Sequence, residues 1–301
     1  MQLKWLEDFM ALALTRNFSR AAEMRNVTHP AFGRRIQALE AWAGTPLVVR
    51  GASPVALTAA GELFLESSTQ TVRGLDSARI ELLGAAGRQA RTVTIATGRT
   101  LARTVLADWL VRLQPAVRDA RVRVVTGNLA DTARLLERNE VDLTLVYHHP
   151  VLNLRLDARQ FSHVTLASDK LVPVARAGAD RQPIHPVSVG RPVPLLAYGS
   201  GLALGRLLED HLAHNPLVPL VERRIECDSA DALLEYVLKG LGVAWLPWSM
   251  VQGECKAGRM ALAGDRRMEV KMEVRLYRPK RRLGALVEAV WKSAARGSGG
   301  G

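Results

Sequence analysis

Residues 17–40 read NFSRAAEMRNVTHPAFGRRIQALE, a stretch that predicts two short helices joined by a tight turn. Ser19 is in position to cap the first helix and Thr28 to cap the second, whose first turn tolerates Pro30. Three apolar residues of the second helix follow helical spacing and predict one buried stripe: Phe32, Ile36 and Leu39. The stretch therefore predicts a helix-turn-helix unit.

The outer face of this second helix carries small and basic side chains. At about 100° per residue, Arg34 points almost directly away from the apolar stripe, and His29 and Arg35 flank the outer face. A slim helix of this kind can enter the DNA major groove, where an arginine donates two hydrogen bonds to guanine or pairs with a phosphate. A plain three-helix bundle with solvated arginines fits the same periodicity equally well.

The segments on either side favour the DNA-binding interpretation. Residues 4–14 (KWLEDFMALAL) place apolar side chains on one helical face and predict a further helix. Residues 46–57 (PLVVRGASPVAL) predict a short hairpin, or wing, with Arg50 at its tip. Wings commonly place a basic side chain against phosphate or in the minor groove. Thr58 then caps a long helix over residues 59–87.

Four spaced motifs within residues 17–62 resemble the N-terminal domain of LysR-type transcriptional regulators: N-F-S-x-A-A, T-x-P-A-F-x-R-R-I-x-x-L-E, G-x-x-L-x-x-R and L-T-x-x-G-E. The resemblance implies a winged helix-turn-helix domain at residues 1–61 that binds a double-stranded DNA operator. The residues it implies in DNA contact are Thr28, His29, Arg34 and Arg35 in the recognition helix and Arg50 in the wing. The family usually has Gln in place of His29 and Ser in place of Gly33. Because these two side chains differ, the resemblance does not imply which operator sequence this protein recognises.

The long helix carries the spacing of a coiled-coil seam. Positions 65, 68, 72, 75, 79 and 82 read Leu, Ser, Val, Leu, Arg and Leu, so the seam is only partly apolar. On spacing alone, a single helix packed against its own domain fits as well. The family resemblance implies a linker and dimerisation helix at residues 58–90, and self-association as a dimer or homotetramer.

The C-terminal two-thirds alternates predicted strands and helices, which is typical of parallel sheets covered by helices on both faces. We expect two subdomains, residues 91–163 plus 268–296 and residues 164–267, with crossings near 163–168 and 265–269. The order resembles the effector-binding half of the same family, which is akin to periplasmic solute-binding proteins. The predicted fold class is thus α/β: a winged helix-turn-helix, a linker helix and a bilobed effector domain, ending in a flexible tail at 297–301.

Four segments are expected at the mouth of the cleft between the two subdomains, because ligands of such domains bind at strand ends and helix starts. The candidate effector-binding residues are Gly98, Arg99, Thr100, Tyr147, Tyr198, Ser200, Asp228 and Ser229. Arg99 adds positive charge, so a small organic anion is the preferred ligand. The spacing of Thr100 and Ser229 also fits simple helix capping; the family resemblance implies that the Thr100 hydroxyl contacts the effector.

Composition narrows the class of protein further. The chain has 301 residues and 48% hydrophobic residues, but no apolar run long enough to span a bilayer, and its N-terminus lacks the apolar core of a signal peptide. The net charge of +12 suits an anionic partner such as nucleic acid, although residues 1–90 contribute only +2. Cys227 and Cys255 lie far apart and predict no disulfide framework or zinc ribbon. We therefore expect a cytoplasmic protein with no membrane partner.

Enzyme motifs are missing from the sequence. There is no GxSxG, Walker loop or HExxH, and no GxGxxG follows the first C-terminal strand, so we expect no enzymatic activity and no cofactor. His148 and His149 are adjacent on a predicted strand and face opposite ways, which disfavours a metal site. A free-standing solute-binding protein leaves residues 1–61 unexplained and needs an export signal.

Within the family, the chain is similar to the branch that contains the hypochlorite-responsive regulator. Three stretches carry this likeness: PLLAYGSGLALGRLL (194–208), GLGVAWLP (240–247) and RPKRRLGALVEAVW (278–291). That regulator is associated with methionine oxidation, but none of the seven methionines here falls in the four cleft segments. Leu204 and Ser229 lie near the positions where the methionine of such a sensor is expected. The alternative function is redox- or oxidant-responsive regulation. Cys227 fits either a reactive thiol at the start of a helix or a buried residue at the end of a strand.

Overall fold

The computed structural model describes residues 1–52, 54–85, 92–118, 120–154, 156–187, 192–199, 201–215 and 221–297. The chain divides into two compact units, one built on Met1–Gln89 and the other on Ala90–Gly301 apart from Arg138–Glu140. Each unit has its own hydrophobic core. None of the helices in the described part of the chain combines the length and the apolar composition that a bilayer crossing requires.

The described part of the N-terminal unit contains four helices: α1 (Leu3–Thr15), α2 (Phe18–Met24), α3 (His29–Ala43) and α4 (Ala59–Ala85). Apolar residues at helical spacing bury one face of α1 and of α3, and they form a single core: Leu6, Phe9, Leu12, Phe32, Ile36 and Leu39. The predicted cap Ser19 is wrong by two positions. Helix α2 starts after Asn17, whose side-chain oxygen accepts a 3.0 Å hydrogen bond from the backbone N–H of Arg20.

A buried carboxylate connects three of these helices. Asp8 of α1 is fully buried, and its two oxygens accept hydrogen bonds from Arg25 Nε at 2.8 Å and Arg35 Nη1 at 3.1 Å. Arg25 lies at the C-terminal end of α2, and Arg35 lies within α3. Because a buried charge is tolerated only when it is paired, this cluster fixes how α2 and α3 pack against α1.

The wing is attached to the core by specific polar contacts. Val48 and Leu57 pair as an antiparallel bridge, and the Glu40 carboxylate accepts hydrogen bonds from the backbone N–H groups of Leu47 and Val48 at 2.7 and 3.0 Å. Helix α3 thereby holds the first strand-like segment of the wing through a charge-assisted contact.

The start of α4 explains the L-T-x-x-G-E motif. The Thr58 hydroxyl accepts a 2.9 Å hydrogen bond from the Gly61 N–H and donates a 2.8 Å bond to the Pro46 carbonyl. A Cβ at Gly61 would lie 2.1 Å from the Leu47 carbonyl oxygen, so only glycine fits at this close approach of helix and wing.

The predicted seam of α4 divides into two parts. Leu65 and Val72 pack against the core of their own unit, and Ser68 is buried between them. Leu75 and Leu82, further along, are 51% and 71% exposed. Packing of α4 against its own unit thus accounts for the apolar spacing up to Val72. The two leucines further along the seam are not covered in the isolated chain.

The C-terminal unit is an α/β structure. Its strands are β1 (Thr92–Thr97), β2 (Arg121–Thr126), β3 (Leu143–His148), β4 (Phe161–Arg176), β5 (Val193–Tyr198), β6 (Val221–Cys227), β7 (Ala244–Pro247), β8 (Met260–Leu262) and β9 (Val270–Pro279). Its helices are α5 (Arg99–Arg103), α6 (Val105–Val117), α7 (Leu129–Glu137), α8 (Ala203–His214), α9 (Ala230–Leu238), α10 (Trp248–Lys256) and α11 (Ala285–Gly297), with a 3₁₀ turn at Arg266–Met268.

The main sheet is mixed, with strand order β2-β1-β3-β9-β4-β7, and β8 pairs with β4. Strands β1, β2 and β3 are parallel, as are β5 and β6 in a separate pair, whereas β9 and β4 run antiparallel to their neighbours. The expectation of parallel sheets therefore holds for these pairs and is wrong for β4 and β9. The expected crossing at 163–168 lies inside the sixteen-residue β4, which pairs first with β9 and then with β7. Strands β4 and β9 thus connect the two halves of the unit.

Candidate DNA interface and ligand cavity

The outer face of α3 carries exposed side chains, among them Pro30, Arg34 and Gln37. Thr28 occupies the N-cap position, but its side chain makes no capping hydrogen bond. His29 is exposed, and its ring packs edge-on against Phe18 with centroids 6.1 Å apart. Arg34 is exposed and forms no hydrogen bond or ion pair with the residues that the structure describes. Its guanidinium is available to an external partner.

Arg35 has a different environment from Arg34. Its side chain is only 28% exposed, and one guanidinium nitrogen is committed to the buried Asp8. Arg25 shares that carboxylate; burial lowers the pKa of Arg25, but its hydrogen bonds to Asp8 and Glu7 outweigh this effect and raise the pKa above the ordinary value. Arg25 therefore stays charged beside Asp8. Because one guanidinium nitrogen of Arg35 is committed to Asp8, Arg35 has fewer donors left for DNA than Arg34 has.

The wing and the start of α2 border a second basic surface. Arg50 is exposed at the end of the first strand-like segment of the wing. A groove of about 550 Å³ lies between the α2 start and the wing, and its lining includes Arg16 and Arg20. Sequence reasoning did not select these two residues, although basic residues on both sides of the Asn17 cap were a usable signal.

In the C-terminal unit, a cavity of about 470 Å³ opens where strand ends and helix starts meet. Seven of the eight candidate effector-binding residues line it: Gly98, Arg99, Thr100, Tyr147, Tyr198, Asp228 and Ser229. The eighth, Ser200, lies outside the described residues. The volume is in the range of pockets that bind small organic molecules.

Four of the described helices, α5, α7, α8 and α9, begin at this cavity, and their caps differ. Helix α5 follows Gly98, which has no side chain to cap it. Asn128 caps α7 by accepting the Asp131 N–H at 2.8 Å, and Ser229 caps α9 by accepting the Ala232 N–H at 3.3 Å. At α8 the N-cap residue is Leu202, which has no side-chain oxygen to offer. The first-turn N–H groups of α8 therefore lack a side-chain cap at the cavity edge.

The two tyrosines contribute ring surface more than hydroxyl groups. The Tyr198 hydroxyl donates a 2.8 Å hydrogen bond to the Trp245 carbonyl, and the Tyr147 hydroxyl lies 3.5 Å from Asp169 Oδ2. Asp169 also accepts a 2.6 Å hydrogen bond from the Ser249 hydroxyl. Burial raises the pKa of both phenols, so they stay neutral.

Charged groups of opposite sign face each other at the cavity. Arg99 Nη2 donates a 3.1 Å hydrogen bond to the Asp228 carbonyl and lies 4.0 Å from the Asp228 carboxylate. Arg103 pairs with Asp231 beside them. The Thr100 hydroxyl is half-buried and makes no hydrogen bond to the described residues. The cavity therefore combines a guanidinium, two carboxylates and a free hydroxyl.

Sequence reasoning missed one cavity segment and one charged residue. Thr126, Gly127 and Asn128 follow the end of β2 and line the cavity, as does Asp231 in the first turn of α9. The available signal was the run T-G-N before a helix, which has the same strand-end position as the selected segment at 97–100.

Residues that could support metal or redox chemistry lie elsewhere. Among the residues that the structure describes, no group of three or more His, Cys, Asp or Glu side chains is suited to hold a metal ion. Four methionines are buried in the core: Met250, Met260, Met268 and Met272. None of the described residues that line the cavity is Met or Cys. Cys227 is half-buried at the end of β6 and packs against the core.

Comparison with known families matches both units. Residues 3–62 match the family described as bacterial regulatory helix-turn-helix protein, lysR family. Residues 86–298, more than half of the chain, match the LysR substrate binding domain.

Full-length proteins show the same likeness. The HTH-type transcriptional regulator YjiE of Escherichia coli strain K12 is 28% identical over 293 residues, which cover 97% of this chain and 93% of that protein. The crystal structure of Vibrio fischeri DarR in complex with DNA is 28% identical, covers 98% of both chains and gives a TM-score of 0.59. Full-length HypT from Salmonella typhimurium, a hypochlorite-specific LysR-type regulator, is 26% identical, covers 98% of both chains and gives a TM-score of 0.60.

Proposed function

The chain belongs to the LysR family of DNA-binding transcriptional regulators, and from this premise we propose that α3 reads an operator while the 470 Å³ cavity binds a small effector that controls this reading. Family membership also argues against the enzyme and solute-binding alternatives, because these relatives regulate transcription.

The observation that carries the DNA-reading proposal is the free guanidinium of Arg34 on the exposed face of α3. In the proposed complex, Arg34 contacts a base edge, while Thr28 and His29 contact bases or phosphate at the start of the helix. Arg50, Arg16 and Arg20 contact the phosphate backbone from the wing and from the start of α2. Arg35 makes a weaker DNA contact and mainly holds α3 against Asp8.

The proposed control rests on the effector's preference for one arrangement of the C-terminal unit. Its cavity residues come from both sides of the crossing strands β4 and β9, so a ligand that contacts both sides favours a closed form. A ligand shifts an equilibrium only by its difference in affinity between the two states. Methionine-based oxidant sensing receives no support from the described lining of this cavity.

We further propose a cytoplasmic homotetramer, assembled from dimers through the linker segment at residues 58–90, of which the structure describes α4 and not residues 86–90. The exposed Leu75 and Leu82 support this assembly, because a dimer interface would cover them. A symmetric dimer places two recognition helices on half-sites about one helical turn of DNA apart. The proposed domain boundaries remain residues 1–61 for DNA binding, and 91–163 plus 268–296 and 164–267 for the effector subdomains. Of the tail expected at 297–301, Gly297 ends α11 and residues 298–301 lie outside the described residues.

The experiment is titration of the full-length protein against promoter fragments from its own locus at two salt concentrations, read by fluorescence anisotropy. We expect tight binding to one fragment with a steep salt slope. Arg34→Ala should weaken this specific binding by about 1–3 kcal/mol with an unchanged melting temperature, since Arg34 forms no hydrogen bond or ion pair with the part of the chain that the structure describes. Arg112→Ala, at an exposed arginine of α6, is the control. Unchanged operator affinity in the Arg34 variant contradicts the assignment.

A further inference from the structure

We propose that the effector is a small zwitterion, an α-amino acid with a compact apolar side chain, and not a simple organic anion. The proposal rests on the function proposed above for the cavity and names the chemical class of its ligand. Arg99 on its own favoured an anion, but the structure places the Asp228 carboxylate beside it.

The spacing of the two charges carries the argument. Arg99 Nη2 and Asp228 Oδ2 are 4.0 Å apart, and both side chains are well exposed, at 60% and 83%. An α-amino acid carries its ammonium and carboxylate groups on one carbon atom, so its own charges are similarly close. Such a ligand can present its carboxylate to Arg99 and its ammonium to Asp228 at the same time.

Ligands with a single charge match the site less well. A carboxylate bound at Arg99 without an ammonium group would lie next to the Asp228 carboxylate, and like charges at this distance repel. A simple amine bound at Asp228 would lie next to Arg99 in the same way. Asp231 does not change this balance, because Arg103 already pairs with it.

Neutral groups complete a site for the amino-acid backbone. The free Thr100 hydroxyl lies on the residue after Arg99 and can donate to the same carboxylate. The first-turn N–H groups at the start of α8, which has no side-chain cap, add a further set of donors of the kind that favours an anion.

The walls of the cavity select the side chain of the ligand. Four leucines line it: Leu101, Leu129, Leu202 and Leu204. The neutral rings of Tyr147 and Tyr198 add further apolar surface, since their hydroxyls are engaged within the protein. A volume of about 470 Å³ suits an aliphatic or thioether side chain together with bound water.

The test uses matched sets of probes on the full-length protein. Alanine, valine, leucine, isoleucine and methionine are each compared with the N-acetyl derivative, which lacks the cation, and with the decarboxylated amine, which lacks the anion. Binding is measured by thermal shift and then by calorimetry. We expect at least one amino acid to bind, and both of its singly charged or blocked counterparts to bind about tenfold more weakly or worse.

Variants assign the two charges. Asp228→Asn should reduce affinity for the amino acid by about tenfold or more and leave the affinity for the N-acetyl derivative unchanged or improved. Arg99→Gln should produce the reverse pattern, with the amine derivative spared. Asp108→Asn and Arg112→Gln make the same chemical changes at exposed positions of α6 outside the cavity and should have no effect.

Two outcomes overturn the inference. One is an N-acetyl derivative or an amine that binds as tightly as its parent amino acid, and the other is the absence of binding by all five amino acids. The first outcome, if that compound also changes operator affinity, leaves the proposed effector function intact. Operator binding by the unliganded protein is measured separately. A protein that does not bind its operator is therefore distinguishable from a protein whose effector is not an amino acid.

Discussion

At the scale of single residues, two neighbouring arginines of α3 show how helix geometry separates roles. Arg34 and Arg35 are 100° apart around the helix. Arg34 points away from the core and is free, whereas Arg35 reaches Asp8 in the interior. The sequence predicted the direction of Arg34 from periodicity, but it could not show the buried acceptor of Arg35, because Asp8 lies 27 positions away on another helix.

This buried pairing gives a prediction for stability. Asp8→Asn removes the counter-charge of Arg35 and one of the two carboxylate partners of Arg25, and both guanidinium groups are less than one-third exposed. We expect the N-terminal unit to lose about 3 kcal/mol of unfolding free energy, measured by urea denaturation of the full-length protein. Glu7→Gln removes a more exposed partner of Arg25 and is the control, with an expected loss below about 1 kcal/mol. Equal effects of the two substitutions would show that the cluster does not hold the helices together.

At the scale of elements, the recognition helix contains a glycine that its own fold does not need. A Cβ at Gly33 would meet nothing within 4 Å, and glycine inside a helix is less favourable than alanine by about 1 kcal/mol. Gly33→Ala should therefore raise the melting temperature. We expect the same methyl group to weaken operator binding by about tenfold, because position 33 lies beside Arg34 where DNA approaches. Anisotropy titrations measure the loss; a stabilised variant with full operator affinity would place the DNA contact elsewhere on α3.

The contact between β9 and α11 gives a pH prediction. Arg278 donates two hydrogen bonds to Glu288, and this pairing lowers the pKa of Glu288 from 4.5 to about 2. A lowered pKa in the folded state stabilises the fold above pH 4.5, and this contribution is lost as the pH falls towards 2. Solvent screening at this partly exposed carboxylate reduces the contribution to roughly 2 kcal/mol.

The measurement compares the wild type with Glu288→Gln in urea unfolding at several pH values between 6 and 2.5. The variant should be less stable at pH 6, and the difference should shrink as the pH falls. Glu222→Gln, at an exposed acid of β6, controls for general charge effects. A difference that stays constant with pH would mean that ionisation of Glu288 does not stabilise this contact.

The elements also show why only part of the site was predictable. Amphipathic helices such as α3 and α9 follow from the spacing of their apolar residues. Most of the cavity lining was predicted from segments in which a strand ends just before a helix starts. The antiparallel course of β4 and β9 did not follow, because strand direction within a sheet depends on contacts between residues about a hundred positions apart. The balance of charge at Arg99 was missed for the same reason, since Asp228 lies 129 positions away.

At the scale of the whole molecule, two exposed leucines of α4 predict that the protein works as an oligomer. Leu75 and Leu82 are exposed in the isolated chain, while Leu65 and Val72 in the same seam pack internally. The double variant Leu75→Glu/Leu82→Glu should dissociate the assembly, because a covered apolar residue replaced by a charge leaves that charge unpaired in the interface. Light scattering coupled to size exclusion measures the mass, and Leu241→Glu, at a leucine 48% exposed in the C-terminal unit, is the control.

The same double variant links assembly to DNA recognition. Two recognition helices fixed in one dimer bind two half-sites together, so the second contact forms at a high effective concentration. We therefore expect the dissociated variant to lose about a hundredfold or more of its affinity for the full operator, and much less for a fragment with one half-site. Circular dichroism should show unchanged helix content, since both leucines lie outside the core of the N-terminal unit. A variant that remains oligomeric would place the interface away from the second half of α4, and a dissociated variant with full operator affinity would show that one recognition helix is sufficient.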